Sequence, residues 1–244
     1  MNTPLKYNPK TESLVLRACR SDLTSRDGFS WKNKCVKAPD WSPVPDCGSG
    51  LHGWLNGQGD PDVWDHRDDD KWLILAVKTA TIVDLGDKVK FPAARRLFVG
   101  ARVETSSLLA SMLPGVPVMF AILTGGRGST LIGGYGSTLI GGYGSTLTGG
   151  YGSTLTGGSR STLTGGHRST LTGGNDSTLT GGNDSTLTGG NDSTLTGGNF
   201  STLQIRWWDH IASRERIATA YVGEDGIKAN TAYRLDDNHR FIKA

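Results

Sequence analysis

The chain has 244 residues, 35 of them Gly, with 26 Lys and Arg against 23 Asp and Glu for a formal net charge of +3. So small and mixed a charge argues against a nucleic-acid partner, and no apolar stretch reaches the length of a membrane span. Three cysteines, Cys19, Cys35 and Cys47, with no Cys-x-x-Cys, fit a reducing compartment better than a disulfide scaffold.

The first residues, Met1-Asn2-Thr3-Pro4-Leu5-Lys6, carry no apolar segment of the kind a secretion signal needs. Residues 1–123 have ordinary globular composition and are expected to form an α+β domain. Apolar runs predict strands at 13–19, 71–77, 81–85, 88–92 and 96–100. Residues 103–113 read as a helix stopped by Pro114, and 116–123 lead into the next segment. Candidate chemistry here is thin. Cys35, Cys47 and His52 are possible metal ligands, but their spacing matches no strong zinc pattern, so they are read as buried thiols and a surface imidazole. Asp65, His66, Asp68, Asp69 and Asp70 read as a solvated acidic loop. Trp31, Trp41, Trp54, Trp64 and Trp72 read as core, with Trp41 and Trp54 in Gly/Pro-rich surroundings as candidates for exposure. An exposed aromatic patch would mark a membrane-surface or protein contact.

From 124 to 203 the pattern changes. The triplet Ser-Thr-Leu occurs ten times at eight-residue intervals, from Ser129-Thr130-Leu131 to Ser201-Thr202-Leu203, separated by Gly-Gly and a variable dipeptide. Strict periodicity of this kind predicts a repeat architecture rather than disorder. In a strand, alternate side chains face opposite ways, so an inward Leu155 puts Thr154 and Thr156 outward. The Gly-rich remainder allows a tight corner. One octapeptide is therefore a short strand and a turn, and it cannot bury its own Leu. Two of them facing each other make a flattened sixteen-residue coil, and stacked coils form a β-solenoid. The expected fold is mostly β: a short solenoid of paired octapeptides with an α+β N-terminal domain (1–123) and a small β C-terminal cap (204–244).

The solenoid stacks identical residues. One face is expected to carry Thr146, Thr162, Thr178 and Thr194 with Thr148, Thr164, Thr180 and Thr196. The other carries Thr154, Thr170 and Thr186 with Thr156, Thr172 and Thr188, while Ile132 and Ile140 replace the second Thr in early units. Each face is a grid about 4.8 Å by about 6.8 Å, with a methyl and a hydroxyl at each node. A rigid grid with spacings near those of ice can hold water in an ordered layer. Thr is also simply a good strand residue. A calcium-binding β-roll is the other reading of Gly-Gly-Asn-Asp turns. It has nine-residue repeats, though, and only Asp176, Asp184 and Asp192 supply turn carboxylates here, whereas calcium takes six or more oxygens.

After the repeat, Ile205 and Trp207 are placed to continue the inward row and close the core. Residues 216–222 read as a strand, 223–226 as a turn, and 233–242 as a hairpin covering the solenoid end. Asp209, His210, Glu224 and Asp225 are read as turn and cap residues rather than acid/base groups.

Three segments together resemble the bacterial ice nucleation proteins. Leu14-Val15-Leu16-Arg17-Ala18-Cys19, the stretch from Gly50 to Gly59, and Val89-Lys90-Phe91-Pro92 look like that family's N-terminal domain. Gly150-Tyr151-Gly152-Ser153-Thr154-Leu155-Thr156 is its repeat signature, and Arg206-Trp207-Trp208-Asp209, residues 222–227 and Tyr233 look like its C-terminal domain. The resemblance implies a Thr-lined β-solenoid that binds water and seeds ice, with no enzyme activity, no cofactor and no metal. It further implies peripheral display at the outer membrane and self-association into multimers. Tyr135 and Tyr151 match the family's tyrosine ladder, with Tyr143 on the opposite edge, and Arg160 and Arg168 match turns that help members assemble. The chain departs from the family in having about five coils and in placing Asp176, Asp184 and Asp192, not Arg, next to the cap. The competing expectation is a structural or protein-binding module in which the solenoid is only a spacer. An enzyme in the N-terminal domain has no nucleophile–base pair to support it.

Overall fold

A computed structural model describes residues 6–59, 61–63 and 67–244. The chain is mostly β and divides into two compact units, residues 1–118 and 119–244.

The first unit holds strands β1 (Glu12–Cys19), β2 (Cys35–Lys37), β3 (Leu51–Leu55), β4 (Lys71–Lys78), β5 (Val83–Asp84), β6 (Val89–Phe91) and β7 (Ala93–Gly100), then helix α1 (Arg102–Met112). Among the described residues they form one antiparallel sheet in the order β2-β7-β4-β1-β3-β6-β5. The two central strands, β1 and β4, are buried on both sides, which is why Leu14-Val15-Leu16 and Leu73-Ile74-Leu75-Ala76-Val77 are continuous apolar runs instead of alternating ones. Only Val83 and Asp84 of the expected 81–85 strand pair in the sheet. Residues 79–81 form a 3₁₀ turn, and the Leu85 N–H bonds back to the Lys88 carbonyl across a turn at Gly86.

Several side-chain expectations are corrected here. Cys19 is buried, but Cys35 and Cys47 are exposed. Cys35 sits on edge strand β2, where Val36 takes the inward position. His52 is not a surface imidazole: its ring is half-buried and its Nε2 is shielded from solvent. Trp54 is buried and stacks on Trp72 at 5.5 Å, while Trp41 is partly exposed. Of the acidic loop, Asp68 and Asp69 are exposed, but Asp70 is buried and accepts a hydrogen bond from the Arg67 N–H at 3.0 Å. Asp65, His66 and Trp64 lie outside the described residues.

The second unit is the solenoid. Its strands are β8 (Ile122–Thr124), β9 (Thr130–Ile132), β10 (Thr138–Ile140), β11 (Thr146–Thr148), β12 (Thr154–Thr156), β13 (Thr162–Gly165), β14 (Thr170–Thr172), β15 (Thr178–Gly181), β16 (Thr186–Gly189), β17 (Thr194–Thr196) and β18 (Thr202–Asp209). Even-numbered strands stack in parallel into one sheet and odd-numbered strands into the other, each residue pairing with the one sixteen later. The ladder starts at β8, where Ile122-Leu123-Thr124 supplies the alternation ahead of the first Ser-Thr-Leu triplet.

Leucines from both sheets meet in a single row, fully buried from Leu139 to Leu203. The triplet serines also point inward and are buried from Ser137 to Ser201. From Ser161 to Ser201 each interior hydroxyl bonds to a backbone carbonyl of a neighbouring coil, while Ser145 and Ser153 bond to the hydroxyls of Ser161 and Ser169. Ser177 Oγ donates to the Gly158 carbonyl and accepts from the Ser161 N–H, both at 3.3 Å.

From Gly141-Gly142 onward both glycines of each corner pair are sterically required, whereas Gly126 of the first pair has open space. A Cβ on Gly149 would lie 2.3 Å from Ser153 Oγ and 2.7 Å from Leu155 Cδ1. A Cβ on Gly150 would lie 2.8 Å from the Gly134 carbonyl carbon, in the backbone of the coil before it. The side-chain-bearing turn position is left-handed throughout, at Gly in the early coils and at Arg160, Arg168, Asp176, Asp184, Asp192 and Phe200 later.

The C-terminal segment adds β19 (Arg214–Tyr221), β20 (Ala232–Leu235) and β21 (Phe241–Lys243). β19 pairs antiparallel with β18, and β20 with β17, so each sheet's last coil strand is covered. Ile205 extends the buried row as expected. Trp207 does not: it stacks on His239, because β18 runs straight on past the corner where earlier coils turn. Val222, Ile227 and Tyr233 close the core instead.

Replacing Gly150 by Ala forces a contact with backbone that cannot rotate away, a loss of about 2–3 kcal/mol. Gly144→Ala meets nothing within 4 Å and bears only the left-handed penalty, about 1 kcal/mol. Urea unfolding of the full chain should rank the two variants in that order. Ser177→Ala removes the acceptor of the buried Ser161 N–H and one of two donors to the Gly158 carbonyl, which keeps the Gly174 N–H, and the same titration should register a cost of about 1–3 kcal/mol.

Candidate water-binding faces

The threonines that flank each buried leucine project from the two sheets as parallel rows. The first face, on the odd-numbered strands, carries Thr146/Thr148, Thr162/Thr164, Thr178/Thr180 and Thr194/Thr196 in unbroken register. The second, on the even-numbered strands, carries Thr154/Thr156, Thr170/Thr172 and Thr186/Thr188. Residues 146, 148, 154, 156, 162, 164, 170, 178, 180 and 186 are exposed, whereas Thr172, Thr188, Thr194 and Thr196 are half-buried. Backbone pairing sets the coil spacing at about 4.8 Å and the in-strand spacing at about 6.8 Å. Interior Leu and Ser leave the strands little room to shift, so the hydroxyls stand in a fixed lattice.

The faces differ at their ends. The first begins with Thr130 and Ile132 and ends where Ala232 of β20 pairs with Thr196. The second begins with Ile122, Thr124, Thr138 and Ile140, all exposed except the half-buried Thr138. It ends at Thr202 and Gln204, beside Tyr221 and Thr219 of β19. Thr188 Oγ1 and Gln204 Oε1 are 3.0 Å apart, so the Thr188 hydroxyl donates its proton within the protein. Thr130, Thr138 and Thr202 lie in the same rows as the fourteen expected threonines. The unbroken run of Ser-Thr-Leu triplets already marked them.

The corners separate the candidate assembly residues into two edges. On one, Tyr135 and Tyr151 stack with ring centroids 5.2 Å apart, and Phe120 meets Tyr135 edge-on. On the other, Tyr143 has the Arg127 guanidinium 5.0 Å from its ring centroid and that of Arg160 at 5.8 Å. Arg168 Nη1 donates to the Tyr151 hydroxyl at 2.6 Å, and Arg160 lies 3.8 Å from the Asp176 carboxylate. Both expected assembly arginines therefore contact neighbouring coils of their own edge. Near the cap, Asp209 accepts from the N–H groups of Ile211 and Ala212 and pairs with Arg216, which holds its carboxyl below the ordinary carboxylate range. That is a turn role. Among the described residues no group of three or more His, Cys, Asp or Glu is placed to hold a metal. No helix among them is long and apolar enough to cross a membrane.

Comparison with known proteins finds matches to part of the chain. The family described as "Domain of unknown function (DUF7666)" matches residues 13–111. An ice nucleation protein of Xanthomonas campestris pv. translucens is 57% identical over 104 residues, 41% of this chain and 7% of that protein. An ice nucleation protein of Pseudomonas syringae is 29% identical over 103 residues, again 41% of this chain and 9% of that protein. The chain thus matches less than a tenth of the length of these relatives. No solved structure matches. The chain is similar over part of its length to ice nucleation proteins, and its β-solenoid is consistent with that likeness.

Outward threonines carry little of the fold. Thr164→Lys and Thr180→Lys should each change stability by no more than about 0.5 kcal/mol, with far-UV dichroism and thermal midpoint close to those of the parent chain.

Proposed function

We propose that the chain is an ice-binding protein that orders water on its outward threonines and so shapes or seeds ice. The observation carrying this reading is the register of the Thr pairs: identical hydroxyl and methyl groups repeat coil after coil on a flat sheet whose interior is packed Leu and Ser. Partial likeness to ice nucleation proteins supports it. The face with four consecutive Thr pairs, 146/148 to 194/196, is the stronger candidate. On the other face the run is shorter, is flanked by exposed Ile140, and has one hydroxyl already bound to Gln204.

Five coils make a rod of only about 24 Å at strand spacing. One such face is smaller than efficient nucleation needs, so seeding well above the freezing point of buffer requires side-by-side or end-to-end assembly. The stacked Tyr135 and Tyr151, Tyr143 on the other edge, and the Arg160 and Arg168 turns are the residues to which we assign self-association. Peripheral association with the outer membrane, through the N-terminal domain, belongs to the same reading.

Droplet freezing tests it across a wide protein concentration range. The parent chain should freeze above buffer, with a steep concentration dependence. Replacing Thr162, Thr164, Thr178 and Thr180 by Lys should return freezing to that of buffer, and replacing Thr154, Thr156, Thr170 and Thr172 should lower it less. Undiminished freezing in both folded variants would sink the proposal. So would a parent chain that neither freezes droplets above buffer nor alters the habit of growing ice crystals.

A further inference from the structure

The first unit contains a cleft unrelated to the threonine faces. It opens between β1, β3 and the loops 24–31 and 39–50, as two contiguous cavities of about 360 and about 330 Å³ that share Arg17, Ser25, Asp27 and His52. Arg17 is an unusual residue for its position. It alternates with Val15 and Cys19 on the strand face that packs into the apolar cluster around Trp31 and Leu51. Its guanidinium lies 5.4 Å from the Trp31 ring centroid and donates to the His52 carbonyl at 3.3 Å and to Ser25 Oγ at 3.1 Å. Burial pushes the Arg17 pKa down to about 10, which still leaves it charged at neutral pH. A permanent positive charge therefore lies along the cleft.

Ser25 extends this polarity. It is more than nine-tenths buried, and its Oγ accepts two N–H groups, from Trp31 Nε1 at 2.8 Å and from Arg17. Both lone pairs are thereby used, and the hydroxyl proton is left as a donor on the cleft wall. His52 presents a third group. Its Nε2 is shielded from solvent and has no hydrogen-bond partner among the described residues. Burial first, then the charges of Arg17, Lys88 and Lys90, hold the imidazole below its ordinary pKa, against the opposing charge of Asp27. The walls of the two cavities carry Arg17, Arg26 and Lys88 against Asp27 and Asp40.

We infer that this cleft is a binding site for a small organic oxyanion, a carboxylate or a phosphate, whose charged oxygens meet the Ser25 hydroxyl, His52 Nε2 and the Arg17 guanidinium while its carbon body lies against Phe29 and Trp31. Convergent donors with one buried guanidinium are the arrangement that oxyanions select, because each bond is charge-assisted and shielded from water. A buried His nitrogen with no protein partner is a point where an entering oxygen gains a hydrogen bond.

The test uses the full chain at neutral pH, with inorganic phosphate and benzoate as probes, followed by calorimetry and by the His52 ring resonances. One of the two should bind one-to-one with a dissociation constant tighter than about 1 mM and move the His52 signals. Preference for benzoate identifies a carboxylate ligand, and preference for phosphate a phosphorylated one. His52→Gln should weaken binding about tenfold with the near-UV dichroism intact, and Ser25→Ala should do the same where it folds. The inference is overturned if neither anion binds, or if affinity is unchanged in folded His52→Gln. Neither result bears on droplet freezing, since the variants leave every outward threonine in place.

Discussion

Successive corners of the solenoid lie too close for any side chain between them, and the regularity of its faces depends on that contact. Gly150 sits against Gly134 and Gly166 against Gly150, with no room between them for even a methyl group. That contact lets each corner lie directly over the one before it, so the strands between corners pair in strict sixteen-residue register. Any side chain there would push adjacent coils apart and break the parallel hydrogen bonds on both sheets. The spacing of the outward hydroxyls is inherited from this backbone contact and not set by the threonines themselves.

The interior makes the lattice stiff in a second way. A coil this thin has room for one Leu and one Ser from each side, and the Ser would be costly if its hydroxyl were unsatisfied. It is instead bonded to carbonyl and N–H groups of neighbouring coils, which ties the corners together as the leucines tie the strands. The outward positions are then free of structural duty, and the chain can afford the same residue at nearly all of them. Where that freedom ends, at Gln204 and at β19 and β20, the lattice ends too.

The N-terminal unit is built on different terms. Its central strands are apolar on both sides, and its polar groups are held in specific pairs. Lys90, fully buried, reaches Asp46 at 2.9 Å and fastens the 39–50 loop against the sheet, and the carboxyl of Asp46 is held below its usual range by that bond. Arg95 grips Glu12 in the same manner at the far side of β1. The Lys90–Asp46 contact positions one of the loops that wall the cleft. Both pairs join residues forty or more apart in the chain, unlike the solenoid, whose parallel ladders pair each strand residue with the one sixteen away.

That difference in sequence separation decides how much could be read beforehand. The Ser-Thr-Leu spacing by itself determined the sixteen-residue coil, the buried Leu row and the outward threonines, because each follows from strand alternation and a fixed repeat. The helix at 102–112 and the last hairpin, β20–β21, were legible from Pro114 and from turn residues for the same local reason. Only the tertiary structure decided that the serines face inward, that Trp207 leaves the core while Val222, Ile227 and Tyr233 enter it, and that the two threonine faces are unequal. It alone placed Cys35 and Cys47 at the surface, buried Asp70, and brought Arg17, Ser25 and His52 to one cleft. Burial and partnership in those cases depend on which loop folds over which strand, and no periodicity in a single chain encodes that.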